Sequence, residues 1–124
     1  MLDITKEDEM IRNISREKLK EKMERGEEFF LVDTLGEKHY RHSHLPGALN
    51  LPLEQIDRAE EVLPEKRAEV VVYCMDPPCE ISEKAARKLE AMGYENVRHY
   101  EGGKQDWMEA GLPAEGRRAE REGS

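Results

Sequence analysis

The sequence predicts an α/β domain with a mostly parallel central sheet flanked by helices on both faces, a three-layer arrangement. Three observations point there. Short apolar runs ("EFFLVD", "VVVYC", "NVRHY") alternate with stretches whose apolar residues recur at helical spacing. The run from Val70 to Tyr73 does not alternate, so both of its faces are expected to be covered, as in a parallel sheet. The chain has 124 residues, enough for one sound core but not for two.

The elements follow in order. Residues 1–13 are polar and mixed and read as an arm. "ISREKLKEKMERGEE" reads as a helix: Ser15 offers an N-cap oxygen, and Ile14 and Leu19 stand at staple spacing. Leu19 and Met23 share a face, and Gly26 suits the stop. "EFFLVD" is too short for a core helix and reads as a buried strand ending at Asp33. "TLGEKHYRHSH" is a polar loop with room for a helical turn, and "PGALNLP" offers a short strand between Pro46 and Pro52. Ile56, Ala59 and Leu63 lie on one helical face that Pro64 closes. After "VVVYC", Ile81, Ala85, Leu89 and Met92 form an apolar stripe. Gly93 fits the left-handed position past that helix, with Tyr94 placed to contact Leu89. "NVRHY" is a further strand, and "GGKQDWMEAG" a last helix with Trp107 turned inward. The expected boundaries are an arm over 1–13, the domain over 14–113 and a loose tail over 114–124.

Composition removes several function classes. Charged residues make up 39% of the chain and the net charge is −8, which argues against nonspecific binding to nucleic acid. No apolar stretch approaches a membrane span. The opening "MLDITKEDEM" lacks a basic segment followed by an apolar one, so no signal peptide is expected and the cytoplasm is the expected compartment. Thiols there normally stay reduced, which favours a catalytic or redox use of closely spaced cysteines over a structural one.

The chain has two cysteines, Cys74 and Cys79, both in "VVVYCMDPPCEIS". Parallel sheets place their sites at the carboxyl ends of strands, and Cys74 stands at such an end. A loop joining strand to helix can turn backbone N–H groups inward as an anion nest, and the helix dipole adds about 0.3–1 kcal/mol at an exposed site. Such a loop favours the thiolate, which is the nucleophile, and would equally hold an anionic persulfide. The competing reading of Cys74 is a small buried residue at a strand end.

The segments "FFLVDT", "HYRHSHLPGALNLP", "VVVYC" and "SEKAARKLEAMGYENVRHYEGGKQDW", in that order, resemble a single-domain rhodanese, a sulfurtransferase module. The resemblance runs from about Ser15 to Pro113. It implies a catalytic cysteine at Cys74 that cycles between thiol and persulfide. It also implies a substrate-binding loop made of Met75, Asp76, Pro77, Pro78, Glu80, Ile81 and Ser82. The implied partners are a small-molecule or protein persulfide as sulfur donor and a thiol acceptor, with no cofactor, metal, nucleic acid or membrane.

Three departures stand out. Leu35 occupies the place of the arginine that usually follows "VD" two positions after the aspartate, so an internal ion pair is expected to be lost. Ser43 replaces a glycine before His44. The loop after Cys74 is about two residues longer than the common pattern and lacks its glycine and arginine. Asp76 and Glu80 add negative charge there. Two like charges ~6 Å apart at an effective dielectric of ~20 repel by roughly 3 kcal/mol, which disfavours thiosulfate as donor. The missing arginine argues against a phosphatase-like reading.

Cys79 is a candidate resolving thiol, able to attack a Cys74 persulfide and release sulfide, with Pro77 and Pro78 stiffening the loop between them. The alternatives are a core-facing side chain or, less in keeping with the ligand spacing, a zinc ligand. His39 and His42 are expected to be exposed and His44 to make a structural hydrogen bond, as the resemblance implies. Asp33 is expected to cap backbone groups, and the Trp107 indole N–H to need one acceptor. Two other functions stay open: a non-catalytic rhodanese-like module that binds a partner, and a thiol redox switch using Cys74 and Cys79.

Overall fold

In the computed structural model, residues 12–75 and 80–116 are described. Five parallel strands form one sheet in the order β1-β5-β4-β2-β3. The strands are β1 (Arg12–Asn13), β2 (Phe30–Asp33), β3 (Leu49–Asn50), β4 (Glu69–Tyr73) and β5 (Asn96–His99). The helices are α1 (Arg16–Arg25), α2 (Glu37–His42), α3 (Ala59–Val62, continuing a 3-10 segment Leu53–Arg58), α4 (Glu80–Ala91) and α5 (Gly103–Glu109). Among the described residues no helix is long and apolar enough to cross a membrane.

The central strand explains why its sequence does not alternate. Val70 and Val72 of β4 join one core with Ile56, Ala59, Leu63, Ala85, Ala86 and Leu89. Val71 and Tyr73 point the other way, into a core with Leu19, Leu31, Leu45, Tyr100 and Trp107. Every β4 residue therefore needs an apolar side chain once the strand leaves Glu69, and the three-layer expectation holds.

Local signals behave as their chemistry requires. The Lys18 N–H donates to Ser15 Oγ at 3.1 Å, and Ile14 and Leu19 pack in one cluster. Gly26 closes α1 in the left-handed region at φ 71°, and its N–H and the next return to the last turn. At the end of α4, Gly93 takes φ 104° and the Tyr94 N–H donates to the Leu89 carbonyl at 3.1 Å. The Tyr94 hydroxyl donates to the Leu63 carbonyl, which ties α4 to the end of α3.

Two stretches at the margins are more ordered than their composition suggests. Arg12 and Asn13, assigned to the arm, add an edge strand beside β5, and the Ile14 N–H donates to the His99 carbonyl at 3.0 Å. Within the stretch expected to be loose from Ala114, Glu115 forms an antiparallel bridge with His44, with N–H to carbonyl distances of 2.8 and 2.9 Å. Residues 1–11 and 117–124 lie outside the described residues.

Candidate active site

Cys74 follows directly on β4, at the carboxyl end of the middle strand. It is buried, with 2% of its surface exposed, and it is disulfide-bonded in this structure. The chain's other cysteine, Cys79, lies outside the described residues. So do Asp76, Pro77 and Pro78, and with them the Asp76 and Cys79 N–H groups expected to help cradle the sulfur, the prolines having none.

The backbone around Cys74 is clamped from α5. The Lys104 N–H donates to the Cys74 carbonyl and the Gln105 N–H to the Met75 carbonyl, each at 2.8 Å. That approach requires a glycine before them. At Gly103 the backbone has φ 74°, and a Cβ there would stand 2.7 Å from the Met75 oxygen and 2.9 Å from the Cys74 oxygen. The pair "GG" in the sequence thus serves a close backbone contact as well as a turn.

On the α4 side, Ser82 is fully buried and its hydroxyl lies 3.5 Å from Cys74 Sγ. The same hydroxyl lies 2.6 Å from His99 Nε2. His99 ends β5 and is itself buried, and burial holds its pKa below the usual imidazole value, with Glu101 and Glu83 pulling the other way. The sulfur therefore has a polar neighbour at the strand end. Glu80 and Glu83 occupy the first turn of α4, so the positive end of that short dipole is partly offset by carboxylates.

A family model of the rhodanese-like domain matches residues 15–110. The chain belongs to the rhodanese-like domain family. It is 31% identical to a sulfurtransferase of Allochromatium vinosum over 104 residues, covering 84% of this chain and 94% of that protein. It is 29% identical over 97 residues to a putative sulfur carrier protein of Bacillus subtilis, covering 78% of this chain and 51% of that protein. Among solved structures, the rhodanese-like domain of an Anabaena protein superposes with a TM-score of 0.80 at 32% identity, covering 90% of this chain and 84% of that one. The chain spans about half the length of several curated relatives it matches. The family and these relatives support sulfur transfer in general.

This rhodanese-like domain handles its departures in specific ways. Leu35 is buried, and Asp33 does not go without a cation. The Lys104 ammonium, from α5, stands 4.0 Å from Asp33 Oδ2, and both side chains are buried. The expected loss of an internal ion pair is thus corrected: the cation comes from another element. Burial pushes the Asp33 carboxyl up, while the Leu35 N–H at 2.9 Å and the Lys104 charge pull it back. Burial lowers the Lys104 pKa. The Lys104 ammonium also donates to the His39 carbonyl at 3.0 Å, and the Tyr73 hydroxyl donates to Asp33 Oδ2 at 3.1 Å. Ser43 takes φ −166°, extended backbone that any residue adopts, so no glycine is needed there.

The remaining candidates sort by position. Met75 follows Cys74 and is half-buried, Glu80 and Ile81 are exposed at the start of α4, and the Ser82 hydroxyl reaches the sulfur. His39 and His42 are exposed, and His44 donates from Nδ1 to the Tyr40 carbonyl at 2.7 Å while its ring stacks on Tyr40. Arg41 pairs with Glu37 along α2. The Trp107 indole donates to the Pro113 carbonyl at 2.7 Å. Among the described residues no cluster of three or more potential ligands could hold a metal ion.

His99 is the site residue that sequence reasoning passed over. It stands in "NVRHY", where it reads as one more strand residue. The available signal was a histidine on the same face as Val97 in a strand that pairs with the cysteine-bearing one.

Proposed function

We propose that this domain is a sulfurtransferase that carries sulfane sulfur on Cys74. The observation that carries the reading is the position of that residue: at the carboxyl end of the central strand of a rhodanese-like fold, with its backbone held by two N–H groups of α5. A donor persulfide is attacked at its outer sulfur by the Cys74 thiolate. The donor's S–S bond breaks, the donor leaves as a thiolate, and Cys74 is left as a persulfide. An acceptor thiolate then takes the outer sulfur and Cys74 leaves as a thiolate. The acids of the loop and of the first turn of α4 favour a persulfide donor over dianionic thiosulfate. A likeness to a putative sulfur carrier protein supports a thiol or protein acceptor.

Cys79 serves as the resolving thiol in this reading. Its thiolate attacks Cys74 Sγ in the persulfide, hydrosulfide leaves, and an intramolecular disulfide forms. The sulfane sulfur is reduced by two electrons and the two thiols are oxidised. Low-molecular-weight thiols then reduce the disulfide. The disulfide state of Cys74 supports this cycle and also favours a second reading, a redox switch without sulfur transfer.

Cyanolysis separates the two. Reduced protein loaded with a persulfide donor and then treated with cyanide is expected to release thiocyanate. Cys74→Ala is expected to release none, and Cys79→Ser to retain its loaded sulfur longer than wild type. Absence of thiocyanate from fully reduced wild type would leave the redox switch as the better account.

A further inference from the structure

Polar groupings outside the described reaction include the buried Asp33–Tyr73–Lys104 cluster, the part-buried Lys22–Glu27–Glu69–Arg98 cluster at the opposite end of β4, and the buried Ser82–His99 pair. The first two have their charges matched internally and touch no reactive atom. The third ends on Cys74 Sγ.

We infer that Ser82 and His99 form a proton relay that ionises Cys74, with Ser82 touching the reacting sulfur and His99 acting through it as a positioning residue. The inference rests on the sulfurtransferase reading for its purpose, but not for its geometry. Two successive contacts link three heavy atoms across three elements. Cys74 Sγ, at the end of β4, lies 3.5 Å from Ser82 Oγ on α4, which lies 2.6 Å from Nε2 of His99 on β5. A serine hydroxyl has one proton to give. Once the disulfide on Cys74 is reduced and its sulfur is a thiol, two proton arrangements fit these contacts. In the first, the thiol donates to Ser82 Oγ and the hydroxyl donates to a neutral imidazole. In the second, the imidazolium donates to Ser82 Oγ and the hydroxyl donates to a thiolate. Passing from one to the other breaks the S–H bond, moves the hydroxyl's own proton to Nε2, and leaves the sulfur's proton on the hydroxyl. No electrons are exchanged.

The surroundings suit a relay rather than a plain hydrogen bond. Ser82 is fully buried and His99 nearly so, hence bulk water does not compete for either contact. Burial disfavours the imidazolium, so the proton is not held permanently on His99. Charged groups acting on the ring are Glu83 from α4 and Glu101 from the turn after β5, and both favour taking up the proton. From β1 the residue opposite is Asn13, which is uncharged. From β4 the titratable group is Cys74 itself. The relay gives the thiolate a cationic partner that α4's acidic first turn does not supply. It also offers a proton to Cys74 when sulfur or a disulfide partner departs.

The test reads ionisation of Cys74 without requiring sulfur transfer. In reduced Cys79→Ser protein, the pH dependence of iodoacetamide alkylation reports the Cys74 thiolate alone. Adding Ser82→Ala or His99→Gln is expected to move the midpoint to higher pH and to slow alkylation at pH 7 by about tenfold, one unit of pKa. Nuclear magnetic resonance of the His99 imidazole keeps the test independent of those variants: its titration is expected to change between reduced Cys79→Ser and Cys74→Ala/Cys79→Ser proteins, since coupled groups share their titration steps. An unchanged alkylation midpoint in both relay variants, or a His99 titration indifferent to Cys74, overturns the relay. If the midpoint shifts but no variant or wild type ever yields thiocyanate, the relay stands and sulfur transfer fails.

Discussion

Gly103→Ala tests how Cys74 is held in place. At φ 74° an alanine pays about 1–2 kcal/mol for left-handed backbone. Its Cβ would sit 2.7 Å from the Met75 oxygen, 2.8 Å from the Met75 carbonyl carbon and 2.9 Å from the Cys74 oxygen. These are backbone atoms, which cannot swing aside as a flexible side chain would. Relief requires α5 to retreat, which stretches the Lys104 and Gln105 hydrogen bonds to Cys74 and Met75. Losing both costs about 2 kcal/mol at roughly 1 kcal/mol each. The sum is about 3–4 kcal/mol. Gly26→Ala is the matched control: φ is 71°, but nothing lies within 4 Å of the added carbon. It should cost only the backbone part, about 1–2 kcal/mol. Urea unfolding of wild type and both variants, in reductant, measures the difference from midpoint and slope. Equal losses in the two variants would refute the claim that α5 clamps the Cys74 backbone.

Lys104→Met leaves the Asp33 carboxylate buried without its cation and is expected to destabilise by about 3–5 kcal/mol, with Asp33→Asn in the same background restoring part of the loss. The folded pKa of Asp33 is raised, so the folded state holds that proton longer than the unfolded chain does. Its contribution is full below about pH 4 and is lost as pH rises through the folded value; denaturation at a series of pH values checks the sign. His99 acts in the opposite sense. Its folded pKa is depressed, so its contribution is present above about pH 6.5 and is lost as pH falls through the folded value, and His99→Gln should flatten that part of the stability profile.

The legible parts of this fold are those that local chemistry decides. A strand with apolar residues on both sides can only be an inner strand of a covered sheet, and Val70 to Tyr73 is one. Gly26 and Gly93 mark helix ends because both take left-handed backbone that other residues resist. Asp33 caps the Leu35 N–H two residues on, a contact within reach of sequence reasoning. Lys104 was not legible as a buried cation: lysine is ordinarily a surface residue, and only the turn of α5 toward β2 places it against Asp33. Nor were Arg12 and Asn13, two polar residues whose strand exists only because β5 offers an edge. At the site, Cys74 was visible from its place after an apolar run. His99 was not, since it lies 17 positions from Ser82 in the chain and it is the packing of α4 against β5 that brings the two together.

Mass spectrometry of reduced protein after brief exposure to a low-molecular-weight persulfide, mapped by peptide, tests the central claim most directly. The account predicts a gain of one sulfur atom on the Cys74 peptide of Cys79→Ser protein, lost on cyanide treatment. Sulfur found on neither cysteine in any reduced form, or gained equally by Cys74→Ala, would contradict it.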